Sequence, residues 1–288
     1  EDTPERDPRW RVRRGAEGEV GELSSMAERP PFVPNVEHVL VTDRELRAVV
    51  VRPRNFEPGR RYPAVLSVYA GPGHTRVRHS RYSELRNQWL ADHGFIVVTL
   101  DGRGTPHRGR DWERAIHLNL IDVALADQVE GLRALGERFP ELDLERVGVY
   151  GWSFGGYFAA MAAMRHPELF RAAVAGAPVV DWRDYDTHYT ERYMGLPEQN
   201  VAGYDAASVL TYAPQLERPL MLIHGTSDDN VYFVHAMRLS DALLRAGRAH
   251  EFVVLGGSTH MVADPGVARS LQDRIVGFFR RHLRAEAQ

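Results

Sequence analysis

The residues best suited to chemistry begin with Gly151-Trp152-Ser153-Phe154-Gly155-Gly156, a Gly-x-Ser-x-Gly that follows the apolar run Val147–Tyr150 and opens the helical stretch Phe154–His166. A strand that feeds a helix through so short a connection must turn sharply. Glycine two positions before and two after the serine lets the strand and helix backbones approach where side chains would collide. The turn leaves the Ser153 hydroxyl at the edge of a sheet, facing the positive end of a helix dipole.

A serine hydroxyl is a weak nucleophile at neutral pH. It needs a neutral histidine to take its proton and a carboxylate to orient that histidine and steady the imidazolium. Two later strand ends offer these groups in the order Ser, acid, His. The run Leu220–His224 continues into Gly225-Thr226-Ser227-Asp228-Asp229-Asn230-Val231, which presents Asp228 with Asp229 as its close competitor. The run Glu251–Leu255 continues into Gly256-Gly257-Ser258-Thr259-His260. Among 13 histidines, His260 is singled out by its place between the last strand and the final helix. His224 falls inside its strand and is expected to pack. Such a constellation performs acyl transfer through a covalent intermediate.

The elements that must position these groups alternate along the chain. Short runs rich in Val, Ile and Leu predict strands at Val36–Val41, Leu46–Arg52, Ala64–Tyr69, Phe95–Leu100, Val147–Tyr150, Ala172–Ala175, Leu220–His224 and Glu251–Leu255. Helices are expected at Tyr82–His93, Val123–Phe139, Phe154–His166, Phe233–Ala246 and Val267–Leu283. Alternation of nearly continuous apolar strands with helices implies an α/β domain, a mostly parallel eight-stranded sheet covered on both faces. In such sheets functional residues gather beyond the carboxyl ends of the strands. Residues 1–35, rich in charge and in proline (Pro4, Pro8, Pro30, Pro31, Pro34), read as an extended arm or connector ahead of one large domain, 36–288.

Composition narrows the partners. A formal charge of −3 gives no reason to expect nucleic acid or an anionic membrane. All 36 basic residues are Arg and there is no Cys, so a lysine-dependent phosphate loop and thiolate metal sites are excluded. No histidine spacing suggests a metal site, and no cofactor is expected. No apolar run approaches the roughly 20 residues of a membrane-spanning helix. The charged opening Glu1–Arg14 does not read as a signal peptide, and the compartment stays open. A peptide or small, near-neutral substrate fits best.

Several segments together resemble the prolyl oligopeptidase family of serine peptidases, within it the dipeptidyl peptidase IV branch. They are Val68-Tyr69-Ala70-Gly71-Pro72, Asp101-Gly102-Arg103-Gly104, Gly151 to Tyr157, Tyr189 to Pro197, and His224 to Val231. The resemblance runs in order from about Val36 to the end. It implies an α/β-hydrolase fold and a triad of Ser153, Asp228 and His260, which selects the first Asp of the pair. It also implies that the Tyr69 hydroxyl and the Phe154 backbone N–H hold the oxyanion. Val179, Trp182, Tyr185, Tyr189, Asn230 and Val231 should line the pocket for the residue before the scissile bond, which an aromatic box suits to proline, and to alanine by size.

The implied activity is hydrolysis after proline with release of N-terminal dipeptides. An acylaminoacyl peptidase, an oligopeptidase or an esterase would use the same machinery, and a non-catalytic interaction module is the reading from another class. The family further implies a β-propeller, absent from this chain, and homodimers formed through the hydrolase domain. The sequence departs from the family pattern around Gly257-Ser258-Thr259-His260-Met261, where acidic residues more often precede the His and Gly follows it.

Overall fold

The computed structural model describes residues 9–26, 28–80 and 82–284. Its strands are β1 (Trp10–Arg13), β2 (Glu19–Leu23), β3 (Val36–Val41), β4 (Leu46–Val51), β5 (Tyr62–Val68), β6 (Ile96–Asp101), β7 (Leu142–Trp152), β8 (Phe170–Gly176), β9 (Leu220–Gly225) and β10 (Glu251–Leu255). Its helices are α1 (Leu85–Ala91), α2 (Arg110–Arg114), α3 (Asp122–Arg138), α4 (Phe154–Arg165), α5 (Thr187–Met194), α6 (Val201–Ala207), α7 (Val209–Tyr212), α8 (Val234–Arg245) and α9 (Pro265–Leu283).

The last eight strands form one sheet in the order β10-β9-β8-β7-β5-β6-β4-β3. Pairing is parallel from β10 to β6 and antiparallel at β4 and β3. Side chains alternate between two cores, as a period of two requires. Ala64, Leu66 and Val68 of β5 join the core that includes α3, α4 and α8, while Val65 faces the core that includes α1 and α9. Helix α4 is buried from Phe154 through Met164, which explains its apolar composition on every side. The α/β sheet covered on both faces is the one the alternation implied.

Boundaries moved where local chemistry intervened. Tyr69 lies outside β5, because Ala70 at φ 57° turns the chain out of the sheet. The expected helix Tyr82–His93 is a 3-10 turn over Tyr82–Glu84 followed by α1. The arm contains a hairpin, β1 paired antiparallel with β2, and the residues of both strands are exposed. Charge and proline at its flanks masked that short pairing. The segment between β8 and β9 holds α5, α6 and α7, three short helices without a clear apolar period.

The chain places β5 and β6 to one side of β7 and β8, β9 and β10 to the other. The carboxyl end of β7 is therefore a point where strand order reverses, and a crevice opens there.

Candidate active site

Five strand ends converge on this crevice. Tyr69 follows β5, Ser153 follows β7, Val179 and Trp182 lie beyond β8, Asp228 follows β9 and His260 follows β10. Ser153 holds φ 60° and ψ −121°, a conformation that costs about 1–3 kcal/mol and persists only where its surroundings over-determine it. They do so here. The Ser153 N–H donates to the Gly176 carbonyl at 2.9 Å. A Cβ at Gly151 would strike the carbonyl of Gly155, one at Gly155 that of Val68, and one at Gly156 that of Gly176. The three glycines thus seat α4 against β5 and β8.

Asp228 is buried and its two oxygens divide their work. Oδ1 accepts the backbone N–H groups of Asn230 and Val231 at 3.0 and 2.9 Å. Oδ2 accepts from His260 Nδ1 at 2.8 Å. That bond fixes the tautomer and leaves His260 Nε2 as the free base. Asp228, rather than the exposed Asp229, is the carboxylate that meets His260. Ser153 and His260 line one cavity, and among the described residues no hydrogen bond within 3.5 Å joins them. Such bonds are commonly loose in unliganded sites and tighten around substrate.

The histidine loop departs from the family pattern in sequence yet is held at several points. Ser227 N–H donates to the Ser258 carbonyl at 3.1 Å, and Gly257 N–H to Thr226 Oγ1 at 2.8 Å. Trp152 Nε1 donates to the His260 carbonyl at 2.8 Å. Sequence reasoning passed over Trp152, although its place beside the serine was a signal. Its ring occupies the space a Cβ on Gly176 would take, so that glycine and this contact belong together.

His224 packs as expected, and it also touches the acid. Its Nε2 donates to the Val231 carbonyl at 2.7 Å and lies 3.3 Å from Asp228 Oδ2. Behind it, His235 on α8 accepts the Val180 N–H on Nδ1 at 3.1 Å. Both imidazoles are fully buried, and burial before any other cause lowers their pKa values, that of His235 to about 4. The unfolded chain therefore binds protons at these positions before the native state does. Stability should be full above about pH 6.5 and fall as the pH drops toward about 4, with His235 alone accounting for about 3 kcal/mol. Denaturant melts across that range test this. His235→Asn, whose Oδ1 can accept the Val180 N–H, should flatten the acid slope, and an unchanged slope would contradict the assignment.

Tyr69 lines the cavity shared by Ser153 and His260, and Phe154 follows the serine at the start of α4. Burial chiefly, then Tyr185 and Tyr193, raises the Tyr69 pKa, so the phenol keeps its proton at neutral pH and can donate it. The Phe154 N–H is one of the donors a helix start leaves unpaired. The two rings lie 5.7 Å apart.

Of the six candidate pocket residues, Trp182, Tyr185, Tyr189 and Asn230 are joined by direct contacts, and Val179 and Val231 belong to the core against which Tyr185 and Tyr189 pack. Trp182 stacks on Tyr189 at 5.9 Å between centroids, and Tyr185 meets both edgewise at 5.7 and 5.5 Å. The Tyr185 hydroxyl donates to Asn230 Oδ1 at 2.7 Å. Val179, Trp182 and Val231 are fully buried and can only back the pocket. Tyr185, Tyr189 and Asn230 retain accessible surface. The sequence could not separate lining from backing, because aromatic residues occur in both layers. Tyr193, not singled out, extends the cluster at 5.0 Å from Tyr189.

A mostly parallel eight-stranded sheet, an elbow serine at its switch point and an acid–histidine pair on the next strand ends define an α/β-hydrolase. The chain belongs to the prolyl oligopeptidase family, whose model matches residues 80–286. It is 38% identical over 261 residues to human (Homo sapiens) dipeptidyl peptidase 8, an alignment covering 88% of this chain and 29% of that protein. It is 36% identical over 290 residues to the Mus musculus dipeptidyl peptidase 8, covering 98% of this chain and 32% of the other. A crystal structure of Porphyromonas gingivalis dipeptidyl peptidase 4 superposes with a TM-score of 0.79 at 32% identity, over 87% of this chain and 35% of that one. The chain thus spans about a third of the length of these relatives. Among the described residues, no helix is long and apolar enough to cross a membrane.

Proposed function

We propose that this chain is the catalytic unit of a serine peptidase that hydrolyses peptide bonds after proline, and after alanine more slowly, releasing N-terminal dipeptides. The observation that carries the reading is the 2.8 Å bond from His260 Nδ1 to Asp228, with His260 and Ser153 lining one cavity and the Tyr185–Tyr189 pair joined to it through Asn230. Ser153 Oγ attacks the carbonyl carbon of the scissile bond while His260 Nε2 takes its proton. Asp228 orients His260 and offsets the charge of the imidazolium. Tyr69 O–H and Phe154 N–H donate to the oxyanion. His260 then returns the proton to the leaving amine, and water resolves the acyl-enzyme by the same steps in reverse order. The aromatic faces suit a flat ring that carries no N–H.

In this reading residues 36–288 form the catalytic domain and residues 1–35 the connector to a preceding β-propeller. That domain would carry the acidic groups that hold the free amino terminus of the substrate, and the whole protein would associate as a homodimer. The names and lengths of the relatives support both the peptidase activity and the additional domain. The test is a panel of fluorogenic Xaa-Pro substrates with free and succinyl-blocked amino termini, assayed on the full-length protein. The free amine should be favoured by at least about tenfold, the worth of one charge-assisted contact. Preference for the blocked substrates would overturn the dipeptidyl register.

A further inference from the structure

The cavity that Ser153 and His260 line is largely distinct from the aromatic cluster. This cavity of about 460 Å³ is bounded by the segment after Tyr69, by Trp152 and His260, and by the first turns of α9. Pockets of about 300–1,000 Å³ hold small ligands, so a residue or two of peptide fits. It shares Asn230 with the aromatic cluster but excludes Val179, Trp182, Tyr185, Tyr189 and Val231. With the acyl part of a substrate against the aromatic cluster, as proposed above, this space is left to the departing amine.

Its charge is one-sided. His74, Arg76, Arg86 and Gln272 line it, and no carboxylate does. Among the described residues neither arginine has an ion-pair partner; the Arg76 guanidinium meets only Ser67 Oγ, at 3.3 Å. Glu84 and Asp101 act on Arg76 through space, while their oxygens accept from other donors. Asp101 accepts the backbone N–H groups of Arg76 and Val77 at 3.0 and 2.9 Å. Glu84, fully buried, accepts from Asn87 and Ser83 at 2.8 and 3.1 Å. Two guanidiniums that repel each other across a partly enclosed space are placed to take an anion, since their planar donors match a carboxylate.

We infer that this cavity is a leaving-side subsite in which Arg76 and Arg86 bind a carboxylate of the released fragment, carried one or two residues beyond the scissile bond. The inference rests on the peptidase reading above. The carboxylate can be an acidic side chain or the free C-terminus of a short peptide, and both present the same group.

The experiment compares kcat/KM of the full-length protein on four peptides: Ala-Pro-Ala-Glu-amide, Ala-Pro-Ala-Gln-amide, Ala-Pro-Ala with a free carboxyl terminus, and Ala-Pro-Ala-amide. At least one charged member should exceed its neutral partner by about tenfold, and the pair that does so identifies the source of the carboxylate. The ratio should shrink as salt rises, since Arg86 is exposed. It should collapse toward one in Arg86→Gln and be partly kept in Arg86→Lys, both at an exposed site where folding is not at stake. Ratios near one for both pairs in the unmodified protein, with turnover intact, would overturn the subsite and leave the peptidase reading standing. Failure to cleave any of the four would overturn both.

Discussion

Replacing Ser153 by Ala should lower kcat by a factor of about 10⁴ to 10⁶ while leaving the thermal melt near that of the unmodified protein. The size follows from the role: once the nucleophile is gone, only binding and oxyanion donors remain, and these alone give a small residue of catalysis. The fold should tolerate the change because Ser153 is held by its backbone, through the bond to Gly176 and the close packing of Gly151, Gly155 and Gly156. Alanine keeps that backbone and removes one oxygen. Activity within tenfold of the unmodified protein would show that another group attacks.

The second large effect is expected at Asp228. Changing it to Asn should lower kcat about 10⁴-fold, the loss seen when a triad carboxylate becomes an amide and the histidine adopts the wrong tautomer. The amide can still accept the Asn230 and Val231 N–H groups through its oxygen, so the loop should survive, but its nitrogen then confronts His260 Nδ1. Asp229→Asn is the matched comparison, because Asp229 is exposed. Equal losses in the two variants would contradict the division of roles between them.

Much of this site was legible because its parts are tied to backbone requirements. A sharp strand-to-helix turn needs glycine at fixed positions, and the three glycines around Ser153 are each in contact with another backbone carbonyl. Strand order then placed Asp228 and His260 on successive loops, and the sheet puts β7, β8, β9 and β10 side by side. What the sequence could not separate was contact from mere proximity in the chain. Nothing in Asp228-Asp229 tells which side chain turns inward; the resemblance selected the first, and the Oδ1 bonds to the two following N–H groups give the physical reason.

The remainder was hidden for different reasons. Trp152 acts through a hydrogen bond to the His260 carbonyl, 108 positions away, a tertiary contact that no local period predicts. His224 looked like a strand residue and is one, yet the loop after β9 folds back over it and brings Asp228 to 3.3 Å. The short helices α5 and α6 depend on the caps Asp186 and Asn200, whose side chains accept from Tyr189 and Gly203 N–H, more than on an apolar stripe. The basic cavity beside Ser153 gathers Arg76, Arg86 and Gln272 from separate segments, and scattered arginines in a chain of this composition read as solvated surface.

Labelling of the native protein with a diphenyl phosphonate analogue of Ala-Pro, followed by peptide mass spectrometry, asks whether Ser153 is the attacking nucleophile of a proline-directed peptidase. A single adduct on Ser153, absent after heat denaturation and blocked by excess Xaa-Pro substrate, is the predicted result. No adduct in folded protein, or an adduct on any other residue, would contradict Ser153 as the nucleophile.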